Sequence, residues 1–207
     1  MPDSAAIAAL HAAGSAIWVT VGNASEAKLA AGAGVDALIL QGTEAGGHRG
    51  GLRDDGGIGI LALTRLAARA VDLPLIAAGG IADSPSLASV LCAGAAAAQI
   101  GTAFMLAPEA GTNPAHRALI AGPAETGLTR AFTGRLARGL INRFQAEHSA
   151  TAPADAYPQI HHVTSPLRAA ARAVGDASAF NLWAGQAHEL AQVLPAGEIV
   201  RALSARA

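Results

Sequence analysis

The chain is poor in cysteine, lysine and aromatic side chains. Cys92 is its only cysteine, so no intramolecular disulfide can form. Cys92 lies in an apolar helical stretch and is expected to be a buried, inert thiol. No Cys or His cluster has zinc spacing, and the pair His161-His162 has no carboxylate at ligand distance in sequence, so no metal site is expected. Four Phe, two Trp and one Tyr supply no stacking platform. A formal net charge of -1 and a pI near 6.6 exclude a partner held by bulk positive charge, whether nucleic acid or an anionic membrane. Arg130, Arg135, Arg138 and Arg143 are interleaved only with Phe132 and Phe144. A solvated face or internal ion pairing is expected there. The N-terminus lacks a basic segment followed by an apolar one, so no secretory signal is expected. Residues 84–108 carry no charge and are long enough to span a bilayer. Pro85, Gly94, Gln99, Gly101 and Thr102 interrupt them, so a buried helix followed by a buried strand is expected, in a cytoplasmic protein.

What the chain does have is small apolar residues in a repeated order. Hydrophobic residues make up 52% of the sequence, enough for one well-buried domain. Ala16–Val21, Ala37–Gln41, Leu75–Ala78 and Ala96–Ile100 read as strands. Their near-continuous apolar character is that of strands covered on both faces. Helices are expected over Asp3–Ala13, Ser25–Ala33, Ile58–Ala70 and Ser84–Ala93. Ser25 is the expected N-cap of the second, and Asp83 or Ser84 that of the fourth. Ala-Gly pairs at 13–14, 33–34 and 93–94 should end helices in the left-handed conformation. This order predicts an α/β fold with a parallel sheet and right-handed crossovers. Past residue 103 the order stops. Residues 112–126 read as helix and loop, residues 127–144 as polar and arginine-bearing, and residues 150–166 as irregular because of three prolines. Leu167–Ala173, Leu182–Val193 and Glu198–Ala205 read as helices. Residues 1–110 are thus expected to form half of a barrel-like sheet, and 111–207 a mostly helical extension packed on it. Four parallel strands leave two edges open, which a second copy of the chain could cover.

Three glycine-bearing loops follow three successive strands: Gln41 to His48, Ala77 to Asp83, and Gln99 to Thr102. Loops of this kind at strand ends bind phosphate through backbone N–H groups. His48 stands between Gly46-Gly47 and Gly50-Gly51. An imidazole there is suited to moving protons near neutral pH. Glu44, in the same loop, is expected to be solvated.

The segments 41–50, 78–81, 99–104 and 132–140, with the tail Asn181-Leu182-Trp183-Ala184-Gly185-Gln186, resemble the nitronate monooxygenases (2-nitropropane dioxygenases), which are FMN-dependent TIM barrels. The resemblance runs in order over nearly the whole chain. It implies a partial (β/α)8 barrel, about its C-terminal four strands, with a helical C-terminal appendage and with the first four strands outside this chain. It implies FMN as cofactor, with Gln41, Gly46 and Gly47 at the flavin. Gly79, Gly80, Gln99, Ile100, Gly101 and Thr102 would hold its phosphate and ribityl chain. His48 would face the ring and substrate as the catalytic group. The implied reaction oxidises an alkyl nitronate or nitroalkane with oxygen to a carbonyl compound and nitrite. A flavin-dependent enoyl-acyl-carrier-protein reductase shares the Gly-Gly-His loop and is the alternative within the superfamily. A non-catalytic half-barrel is the alternative outside it.

Overall fold

The computed structural model describes residues 3–205. The first half is an alternation of helix and strand: α1 (Ser4–Ala12), β1 (Trp18–Val21), α2 (Ala24–Ala33) and β2 (Ala37–Gln41). A two-residue strand, β3 (Gly47–His48), precedes α3 (Ile60–Ala68), β4 (Leu75–Ala78), α4 (Ser84–Cys92) and β5 (Ala97–Gln99). The second half contains α5 (Pro114–Ile120), β6 (Thr126–Thr129), β7 (Ala137–Leu140), α6 (Arg143–His148), α7 (Gln159–Val174) and α8 (Ala196–Ser204). No helix among the described residues is long and apolar enough to cross a membrane.

Strands β1, β2, β4 and β5 form a four-stranded, all-parallel sheet in that order. The central strands are apolar because helices and loops cover them. Every residue of β4 is buried, as are Leu38 and Leu40 of β2. The edges depart from the expectation of burial on both faces. Trp18 on β1 is 58% exposed, and Ala97 and Gln99 on β5 are exposed. The core joins Val21, Leu38 and Leu40 to Ile60, Leu63 and Ala67 of α3 and to Val90 of α4.

Local chemistry sets the helix starts. Asp3 caps α1 by accepting from Ala6 N, and Asp83 caps α4 in a reciprocal box with Ser86. Asn23 caps α2, accepting from Glu26 N, so Ser25 is already helical and the expected cap is displaced by two residues. Asn outcompetes Ser here because its amide oxygen reaches the free N–H from an extended backbone. Gly34 ends α2 at φ 91°. Cys92 is exposed, contrary to expectation. It is the last residue of α4, which buries only Ser84 and Val90.

The second half differs most from its sequence reading. β6 and β7 form an antiparallel hairpin, and β3 adds to β7, giving a three-stranded sheet within what read as a helical extension. α7 runs from Gln159 straight through Pro166, so the segment read as irregular is helical from 159 onward. Residues 182–193 are not one helix. They run extended past β7, where Leu140 N donates to Leu182 O at 2.8 Å, and then make a short 3-10 turn at His188–Leu190.

Candidate functional site

The C-terminal ends of β2, β4 and β5 point to one cavity of about 380 Å³. Its walls contain Gln41, Gly46 and Gly47 after β2, Gly79 and Gly80 after β4, and Gln99, Ile100, Gly101 and Thr102 after β5. Nine residues singled out from three separate segments therefore share one cavity. Topology explains this: parallel strands all deliver their following loops to the same edge of the sheet. The volume lies in the range of small-molecule and cofactor sites.

Each loop has a physical reason for its glycines. Gly79 sits at φ 109°, and a Cβ there would stand 2.7 Å from Ala45 N. Gly46 lies against the tail, where a Cβ would stand 2.6 Å from the carbonyl carbon of Ala184. Gly101 is different, since nothing lies within 4 Å of a Cβ built there. The N–H groups of Gly79, Gly80 and Gly101 donate to no acceptor among the described residues. A row of free donors beside open space is chemically suited to an anion.

The fourth wall comes from outside the three glycine-bearing loops. Met105, Trp183, Gly185 and Ala187 complete the cavity. The tail is sewn to two loops at once: Gln186 N donates to Glu44 O at 2.9 Å and Gly185 N to Thr102 Oγ1 at 3.0 Å. Its signal in the sequence is the stretch 181–186, which belongs to the family resemblance but carries no chemistry that marks it as a cavity wall.

Polar side chains around the loop after β2 act mainly on the backbone. Gln41 lines the cavity, yet both ends of its amide are used. Nε2 donates to His48 O at 2.9 Å, and Oε1 accepts from Gly50 N at 2.6 Å. Arg49 is buried and donates to the carbonyls of Gly42, Thr43, Ala45 and Gly47. Burial lowers the Arg49 guanidinium to about 10, so it stays charged at neutral pH. Arg138 donates to Thr43 O at 2.7 Å, and Arg135 to the carbonyls of Arg49 and Gly51 at 2.8 Å each. Arg130 pairs with Asp54 at 2.9 Å. These arginines therefore pin a turn-rich loop whose carbonyls lack ladder partners. Glu44 is not a solvated carboxylate. Its oxygens accept from Ile60 N at 3.0 and 3.1 Å, capping α3, whose own N-cap Gly59 has no side chain.

His48 does not line the cavity. It lies on β3, paired with Ala137, one residue from the lining Gly47. Its ring meets the wall residue Trp183 edge-on, with centroids 5.4 Å apart, and Tyr157 at 6.4 Å. Nε2 is 2.9 Å from Thr133 Oγ1, whose own proton goes to Arg135 O at 3.1 Å. The hydroxyl must then accept from His48 Nε2–H, which leaves Nδ1 with its lone pair. Burial first, then the charges of Arg135 and His161, push the imidazole below its ordinary value. The ring is therefore neutral at pH 7.

An α/β sheet whose strand-end loops carry unpaired N–H groups along a cavity, beside a neutral histidine, has the chemistry to hold an anionic group there. Residues 1–206 match the family model described as nitronate monooxygenase, and the chain belongs to that family. It is 44% identical, over 98% of its length, to a nitronate monooxygenase of Pseudomonas aeruginosa, of which it covers 60%. It is 36% identical to a probable nitronate monooxygenase of Bacillus subtilis over 90% of this chain and 55% of that one. Among solved structures, a nitroalkane oxidase from Streptomyces ansochromogenes superposes with a TM-score of 0.95 at 50% identity, covering 99% of this chain and 61% of that one. FabK from Thermotoga maritima superposes with a TM-score of 0.83 at 28% identity, covering 98% and 64%. The chain thus spans about 60% of the length of its nearer relatives.

Proposed function

We propose that the chain carries the flavin-binding half of an FMN-dependent enzyme that oxidises alkyl nitronates and nitroalkanes with oxygen, giving a carbonyl compound and nitrite. The observation that carries this reading is the single cavity shared by Gln41, Gly46, Gly47, Gly79, Gly80 and residues 99–102. Family membership and the likeness to the nitroalkane oxidase support it. FabK is a more distant likeness.

The residues present fit FMN. The free N–H groups of Gly79, Gly80 and Gly101 would hold the phosphate. Residues 99–102 would follow the ribityl chain, and Gln41, Gly46 and Gly47 would meet the ring. Bound FMN would supply the electron-accepting ring, and the protein its position and electrostatics. His48 would take the α-carbon proton of a neutral nitroalkane at Nδ1, converting it to the nitronate. A substrate already in the nitronate form has no such proton to lose. The cationic side chains around His48 favour that anion.

In this reading residues 1–110 form the C-terminal half of a TIM-like barrel in the cytoplasm, and 111–207 an extension packed on it. The exposed edges β1 and β5 are where the rest of a barrel, or a second copy of the chain, would pair.

The test is incubation of the FMN-supplemented chain with propyl-2-nitronate and, separately, 2-nitropropane in air. Nitrite and oxygen consumption should appear together. NAD(P)H oxidation with an enoyl thioester and no nitrite would replace the reading with the reductase. Self-association with neither activity would replace it with the non-catalytic half-barrel.

A further inference from the structure

A second cavity, of about 520 Å³, adjoins the first and shares Met105 and Trp183 with it. None of the glycine-loop residues lines it. Its polar wall is Thr112, Asn113, His116, Asn181 and Arg172.

Positive charge here is unpaired. Arg168 and Arg172 stand one turn apart on α7, and both donate to the same Asn181 Oδ1. Like charges at that spacing repel. The only ion pairs among the described residues are His11–Asp36 and Arg130–Asp54, so no carboxylate reaches either arginine. Arg168 spends its other donors on Thr164 Oγ1 and on His161. Among the described residues Arg172 has no hydrogen bond besides that to Asn181, out of five donors. Its guanidinium is held in place over the Phe180 ring, 5.1 Å from the centroid. His116 is buried and its Nε2 has no partner among the described residues, an orphan that calls for an explanation. Burial, then Arg172, pushes this imidazole down to about 4, so it is neutral at pH 7.

We infer that this second cavity binds a small carboxylate-bearing molecule, with the carboxylate on Arg172 and the apolar remainder against Met105, Phe180 and Trp183. The planar guanidinium matches a carboxylate in a two-bond fork. The occupant sits beside the first cavity and does not enter it.

Trp183 walls the cavity and reports on it. In a W18F background it is the only tryptophan. Titration with sodium butyrate, at ionic strength held constant with sodium chloride, should change its fluorescence saturably. Butyramide should not. R172Q should weaken butyrate by roughly tenfold or more, and R172K, which keeps the charge and loses the fork, by less. Should R172Q fail to fold by circular dichroism, R172K carries the comparison. Because Trp183 also walls the first cavity, binding at saturating FMN is read by equilibrium dialysis of radiolabelled butyrate, and its affinity should persist. No saturable response, an equal response to butyramide, wild-type affinity in R172K and in a folded R172Q, or loss of dialysed butyrate binding on FMN loading would each overturn the proposal.

Discussion

Replacing His48 with alanine lowers turnover of a neutral nitroalkane by about 10²- to 10⁴-fold, the range for a positioned general base, while FMN stays bound. The separation of the two effects follows from the geometry. His48 is not a cavity wall residue, so its loss removes no cofactor contact. Its Nε2 is tied to Thr133, and its neutral state is held by burial and by Arg135 and His161. A base whose ordinary value is lowered is ready at neutral pH and needs no deprotonation first. The rate with preformed nitronate should change far less, since no proton is removed there. Rates with 2-nitropropane and with propyl-2-nitronate, measured side by side, check this. Equal rates for wild type and H48A on 2-nitropropane would end the base assignment.

Gly80→Val weakens FMN binding by roughly a hundredfold or more. Gly80 lies at φ 71°, where a β-branched residue is strained. A Cβ there would stand 3.3 Å from Glu44 Cβ, so the new side chain also presses on the carboxylate that caps α3. Valine would shift the free N–H groups proposed to hold the phosphate. Flavin fluorescence on titration gives the affinity, and circular dichroism confirms that the sheet survives. Unchanged affinity in a folded variant would remove the phosphate from this loop.

The parallel sheet is legible because its two central strands, Ala37–Gln41 and Leu75–Ala78, are covered, with Ala37, Leu38, Leu40 and all of Leu75–Ala78 buried, and their apolar runs have no other use. The cavity was legible for the same reason: strand ends in a parallel sheet share an edge, so loops after successive strands had to meet. What stayed hidden depends on partners distant in sequence. β6 and β7 carry Gly127, Gly139 and Arg138 and have no alternating pattern. They are strands because they pair with each other and with β3. Glu44 looks like a loop carboxylate until α3 brings Ile60 N to it. Of the arginines expected on a solvated face or in internal ion pairs, Arg130 does pair internally with Asp54, whereas Arg135 and Arg138 donate to carbonyls that no ladder satisfies. Pro166 reads as a breaker, yet α7 continues through it. Cys92 read as buried because its neighbours are apolar, but the α4 face that carries it turns outward.

The visible absorbance spectrum of the purified chain, after incubation with FMN and gel filtration, tests the central claim most directly. A flavin spectrum should co-elute with the protein and be lost in G80V. A colourless protein peak, with all flavin in the small-molecule fractions, would contradict it.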